Sequence, residues 1–392
     1  MIRNQIQSNE LVLEIAHLGR QHPSPPPLSE FFPFRHYLSQ DGSLMGLDEI
    51  DGLWTRREVL TRFLLLSAVL DQGPDLEGVR LLVKSVVNDL YRREIRIFHK
   101  PLEFFREFGI SIDRILQEHD SIKEIRADDW ARVNKTSANK YNLFLDNSKQ
   151  ALNYAVSRWG TALCLPLLLE KERSQEDTIE PLVDYFESWP SAEIMSQQIK
   201  DHRRYGLGKA IGDKAGHLFA KWYVYTFRLV KRKGNTWGPL SHELPLDSNV
   251  GRVLFRTGFL LDWASIEDYE RWNVIQRGKG KGGLDYLRVT NIRGKKSTRA
   301  EISGEFGEAY KSVVLEHLAV QRRVPTKIEI QRIPNALLLD SGYAIGDLDD
   351  GLVHIGTNYC FNHDVPRCTD CPINGMCRGY QTAQDLITRY RT

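Results

Sequence analysis

Cys360, Cys368, Cys371 and Cys377 fall within eighteen positions of a 392-residue chain that has five cysteines in all. A chain of this length buries a core without covalent staples. No apolar block of secretory length precedes Asn9-Glu10, so no export signal is expected. Four clustered thiols then read as a metal or cluster site in a reducing compartment, not as a disulfide framework. Gaps of seven, two and five residues separate them. A structural zinc site usually pairs two Cys-x-x-Cys knuckles, or one knuckle with two histidines. One knuckle with two outlying cysteines in a compact loop suits four thiolates around a [4Fe–4S] cubane, with zinc as the alternative. His363 is read as a surface loop residue, because four cysteines complete the shell. Cys164 stands apart in the apolar stretch 162–167 and is read as a small core residue.

Elsewhere the periodicity is helical. Ile6, Leu11, Val12, Leu13, Ile15, Ala16 and Leu18 give residues 1–21 one apolar face, and His22-Pro23-Ser24-Pro25-Pro26-Pro27 breaks it. From Trp54 to about Val230 apolar residues recur every three or four positions, with a strong turn at 71–75. The expected class is all-α. Residues 277–292 alternate enough to allow a short hairpin or a loop. The longest apolar run, around Phe63 to Leu70, is far short of a membrane span.

Bulk charge, 53 basic against 51 acidic residues, announces no nucleic-acid binder. Its distribution says more. Residues 200–233 hold ten Lys/Arg and two acids, and residues 277–299 hold eight Lys/Arg and one acid. Either run alone reads equally as a solvated face; two in a nearly neutral chain tilt toward phosphate binding.

Tyr359-Cys360, Pro366-Arg367-Cys368, Cys371-Pro372-Ile373 and Cys377-Arg378-Gly379-Tyr380 resemble the cluster loop of endonuclease III and the adenine glycosylase MutY, which are helix-hairpin-helix DNA glycosylases. The first gap is one residue longer than in endonuclease III. The resemblance implies a structural [4Fe–4S] cluster on the four cysteines and a two-lobed helical fold. It also implies a helix-hairpin-helix and a catalytic aspartate upstream, with the active-site cleft between the lobes. Ala192–Ile199 reads as the first helix of that motif, and Tyr205–Gly212 as its glycine-rich turn. Asp213 reads as the N-cap of a second helix through Lys214, Leu218, Trp222, Tyr225 and Leu229. Gly206, Gly208, Lys209 and Gly212 are the expected phosphate contacts, since glycine lets backbone approach a phosphate and a helix start supplies N–H donors. Taken alone, such a turn is more often a plain connection.

Downstream, Leu244-Pro245-Leu246-Asp247-Ser248-Asn249-Val250-Gly251-Arg252-Val253 resembles the segment that leads to the family's catalytic aspartate. Asp247 takes that position and Arg252 a DNA-contact position; an ordinary helix N-cap is the plainer reading of Asp247, and the two are compatible. Lys214 is the candidate for the lysine that attacks the sugar in bifunctional members. An alignment shifted to Gly206-Leu207-Gly208 leaves Lys209 beside the position instead. Gln72, in the turn after Leu64-Leu65-Leu66-Ser67-Ala68, is the candidate to fill the gap left by a flipped base.

The implied chemistry is C1′–N cleavage, with Asp247 stabilising positive charge on the sugar and phosphate contacts offsetting base unstacking. Lys214 as nucleophile would add strand cleavage through a Schiff base; with water an abasic site remains. The expected organisation is an N-terminal extension, 1–54, packing on the cluster lobe. A helical core follows over 55–243, then a catalytic-aspartate and iron–sulfur lobe over 244–392. An insertion at about 265–345 carries Arg293, Lys295 and Lys296 as further DNA contacts. The expected partner is double-stranded DNA with a modified base, met by a monomer in the cytoplasm at the nucleoid, with no membrane. Repair of oxidised or deaminated bases and antiviral excision of a bulky base, such as a glucosylated cytosine of phage DNA, are the rival substrate readings. A non-catalytic iron–sulfur DNA-binding protein is the alternative of a different class.

Overall fold

The computed structural model describes residues 2–23, 28–37, 49–50, 54–70, 76–107, 109–125, 148–173, 178–227, 229–230, 237, 242–271, 275–279, 285–289, 327–361 and 366–381. These are predominantly helical, in keeping with the all-α expectation. In chain order the helices are α1 (Ile2–Gln21), α2 (Arg56–Leu70), α3 (Leu76–Arg92), α4 (Pro101–Glu107), α5 (Ile112–Glu118), α6 (Ser148–Arg173) and α7 (Pro181–Glu187). They continue with α8 (Ala192–Asp201), α9 (Asp213–Lys221), α10 (Ser248–Arg256), α11 (Ile266–Arg271), α12 (Lys327–Leu338), α13 (Ile345–Asn358) and the single turn α14 (Arg378–Gln381). Two antiparallel strand pairs accompany them, β1 (Glu49–Ile50) with β2 (Trp54–Thr55) and β3 (Ile275–Lys279) with β4 (Asp285–Val289). The second pair sets Gln276 opposite Arg288 and Gly278 opposite Tyr286, so this stretch takes the hairpin alternative. Among the described residues no helix is long and apolar enough to cross a membrane.

The chain divides into two compact units, residues 25–236 and residues 1–24 with 237–392. The N-terminal extension therefore splits near Ser24. Residues beyond it belong with the helical unit, where Phe31 and Phe34 each lie 4.8 Å from the Phe63 ring. At the centre of that unit α2 is buried from Arg57 to Leu70, charges included. A buried charge must find partners. Glu58 accepts Arg62 Nε at 2.9 Å and the N–H groups of Leu182 and Val183 at 3.1 Å. It thereby caps the start of α7, where the flanking Glu180 makes no side-chain cap. Arg62 also meets Glu170 at 2.7 Å, and Arg57 pairs with Glu187. Cys164 is fully buried, and burial pushes its thiol pKa up, as a core residue requires.

In the other unit α1 packs along α13. Two glycines allow the approach: a methyl group on Gly19 would overlap the Asp347 carbonyl, and one on Gly351 would overlap that of Ile15. Arg20 Nη2 reaches Asp347 at 2.7 Å, and Asp347 also accepts the Ala344 N–H at 2.9 Å. The core beneath joins Val12 and Ile15 of α1 to Val253 and Leu254 of α10 and to Leu348 and Leu352 of α13.

Candidate active site and cluster loop

The chain enters α10 through a buried segment outside any helix or sheet, His242 to Leu246. Asp247 ends that segment with φ −126° and ψ −171°, and its Oδ1 accepts the N–H groups of Asn249 at 2.8 Å and Val250 at 2.9 Å. It is an N-cap, half-buried at the end of the helix where donors converge. Asn249 Oδ1 in turn accepts Arg252 Nη2 at 2.7 Å.

Arg252 does not face a phosphate, and its reading as a DNA contact is corrected. It is 2% exposed, and its guanidinium donates to the carbonyls of Cys360 and, at 2.9 Å, Gly356. Burial lowers its pKa, opposed by the nearby charges of Cys360 and Asp247. One turn on, Arg256 Nη1 donates to Cys360 Sγ at 3.3 Å and to the Phe361 carbonyl at 2.8 Å. The Arg256 carbonyl faces Cys377 Sγ at 3.5 Å. Arg378 ties the far end of the loop down: its N–H bonds the Thr257 carbonyl at 3.1 Å and its guanidinium pairs with Asp262, which also accepts from Ser8.

Cys360, Cys368, Cys371 and Cys377 line one pocket, partly open to solvent, together with the apolar Val253, Ile355, Pro366 and Ile373. The loop walls are short turns, Cys371 N–H to the Cys368 carbonyl at 3.3 Å and Cys377 N–H to the Asn374 carbonyl at 3.2 Å. Among the described residues no group of three or more His, Cys, Asp or Glu is arranged to hold a metal ion. Four cysteine sulfurs are a donor set that fits a thiolate-bound metal centre. Burial pushes Cys371 up to about 12, with the other three sulfurs adding to the rise and the Ile373 N–H opposing it. Burial likewise pushes Cys377 up to about 11, against N–H donors from Tyr380 and Gly379. Four thiolates here need positive charge among them.

Lys214, Gly206, Gly208, Lys209 and Gly212 lie in the 25–236 unit. Ser191 caps α8, accepting the Ile194 N–H, and the turn that follows returns through Leu207 N–H to the Ile199 carbonyl at 2.7 Å. Gly206 and Gly208 are dictated by this turn. A methyl group on Gly206 would stand 2.5 Å from the His202 carbonyl oxygen; Gly208 has φ +55° and would meet Lys123 at 2.6 Å. Gly212 is different, since nothing lies within 4 Å of a Cβ placed there. It also takes the N-cap position expected of Asp213, which is the first helical residue of α9 and pairs with Lys200 at 2.7 Å. Lys214 follows in the first turn, half-buried. The helix expected to run to Leu229 leaves α geometry after Lys221 and passes into a π-helical turn over Trp222–Thr226.

Gln72, Arg293, Lys295 and Lys296 lie outside the described residues, as do His363 and the side chain of Lys209. Sequence reasoning missed Gln331, Arg332 and Asn335 of α12, which hold the segment before Asp247. Their partners lie 87 to 93 positions away, so no local pattern could have found them. The chain matches no family model, no curated protein and no solved structure.

Proposed function

We propose that this chain is a DNA N-glycosylase of the helix-hairpin-helix kind that carries a [4Fe–4S] cluster on Cys360, Cys368, Cys371 and Cys377. One observation carries the reading: Asp247 and the four-thiol cavity stand at opposite ends of a single helix, α10, whose arginines grip the cluster loop. The order along the chain adds to it, with a helix, a glycine-rich turn and a second helix preceding the aspartate and the cysteines. In this reading the cluster supplies the fold of a loop that has little core of its own. Gly212 presents the α9 start to a DNA phosphate. The target base leaves the stack, and the Asp247 carboxylate stabilises the positive charge that grows on the sugar as the C1′–N bond breaks. Lys214 either attacks C1′, with helix-end positive potential favouring the free amine, or contacts phosphate while water attacks.

The test is mass spectrometry of free base released from duplexes carrying oxidised, deaminated or glucosylated bases. Release from one of them is the expected result, and borohydride trapping of wild type but not Lys214→Gln would assign Lys214 the nucleophile's part. Tight DNA binding without release from any duplex would leave a non-catalytic iron–sulfur DNA-binding protein.

A further inference from the structure

The segment His242–Leu246 that delivers the chain to Asp247 is buried and part of no helix or sheet. Its carbonyl groups nonetheless need donors. Helix α12 supplies them. Gln331 Nε2 donates to the Leu244 carbonyl at 2.9 Å, and Asn335 Nδ2 to the His242 carbonyl at 2.7 Å. Beside them Arg332 Nε meets Glu243 Oε1 at 2.8 Å, a pair whose side chains are 5% and 0% exposed.

The two amides lie four apart and so share one face of α12. From that face they reach carbonyls two apart on a segment that no strand pairs.

We infer that Gln331 and Asn335 are positioning residues for Asp247. They fix the backbone three and five residues before the carboxylate, while Arg332 locks the intervening Glu243. The inference rests on reading Asp247 as the catalytic carboxylate. It gives α12, which falls in the expected insertion at about 265–345, a task beside the reacting centre.

Gln331→Met and Asn335→Leu remove the donors at similar volume. In the full-length protein, singly and together, two readouts separate the outcomes. Single-turnover base release should fall by roughly tenfold to a hundredfold, the scale of a misplaced catalytic group, while DNA affinity stays unchanged. Hydrogen–deuterium exchange should accelerate at the amides of Asn249 and Val250, which Asp247 caps, and stay unchanged at Val253 and Leu254 in the middle of α10. Unchanged exchange at Asn249 and Val250, or acceleration along the whole of α10, overturns the inference. So does local acceleration with an unaltered release rate. Absence of base release by wild type sinks the glycosylase reading instead, and exchange then still judges the brace. Gln331→Met alone keeps the side chain's length, so the test stands where the double variant fails to fold.

Discussion

Helices α2 and α10 are both buried over most of their length, and each carries two buried arginines, yet they dispose of the charge differently. Arg57 and Arg62 of α2 meet the carboxylates of Glu187, Glu58 and Glu170. Arg252 and Arg256 of α10 donate to backbone carbonyls, the Asn249 amide and the Cys360 sulfur. The α2 arginines are neutralised by the chain's own acids as the unit folds. In α10, Arg256 donates to the Cys360 sulfur, and in the same pocket burial with mutual repulsion pushes the Cys371 and Cys377 thiols up. In the reading proposed above, an iron–sulfur core would hold the four sulfurs as thiolates beside α10, and nothing comparable stands beside α2 among its described contacts.

The largest effect that separates the two helices is expected at Cys371→Ser. Among the described residues of 360–377, Ile373 is the buried hydrophobic, so the loop has little else to fold around. The variant should lose visible absorption and iron and express poorly, whereas colourless wild-type protein with stoichiometric zinc would end the cluster assignment. Next comes the α2 side of the comparison. Glu58→Gln should lower stability by about 3–5 kcal/mol, the usual effect of breaking a buried pair, and leave iron content unchanged. Arg256→Met should do the reverse, speeding iron loss to a chelator; equal effects of both variants on iron would erase the distinction.

A smaller contrast lies within the glycine-rich turn. Gly206→Ala should destabilise by about 1–3 kcal/mol through overpacking against His202. Gly212→Ala, at an open N-cap, should lose under about 1 kcal/mol but weaken DNA binding, read by thermal unfolding and by titration. The smallest effect on fold is expected from Arg293→Gln, Lys295→Gln and Lys296→Gln together. The salt dependence of DNA binding should flatten by up to about one unit per lost phosphate contact, with unfolding unaltered. An unchanged slope would make the run a solvated surface.

What the sequence made legible follows from periods and spacings. Seven apolar residues on one face and a proline-rich breaker specify α1, and a short polar residue before a helical run specifies Asp247 as a cap. The thiol cluster needed only counting. Arg252 was misread because α10 is buried from Val250 to Arg256 and has no polar face for an arginine to occupy. The π-helical turn after Lys221 was invisible because one shifted register leaves a 3.6-residue apolar pattern nearly intact. The brace from α12 joins residues 87 to 93 positions apart, which no local pattern encodes.

The central claim is that Asp247 does the chemistry as well as capping α10. Asp247→Asn keeps the side chain's size and removes its charge. Single-turnover release of the excised base, measured beside DNA affinity and iron content, tests that claim most directly. The account predicts that affinity and iron are retained and release falls at least a hundredfold, about 2.7 kcal/mol of barrier. Release at the wild-type rate would contradict it, leaving Asp247 as a helix cap and placing the chemistry on other residues.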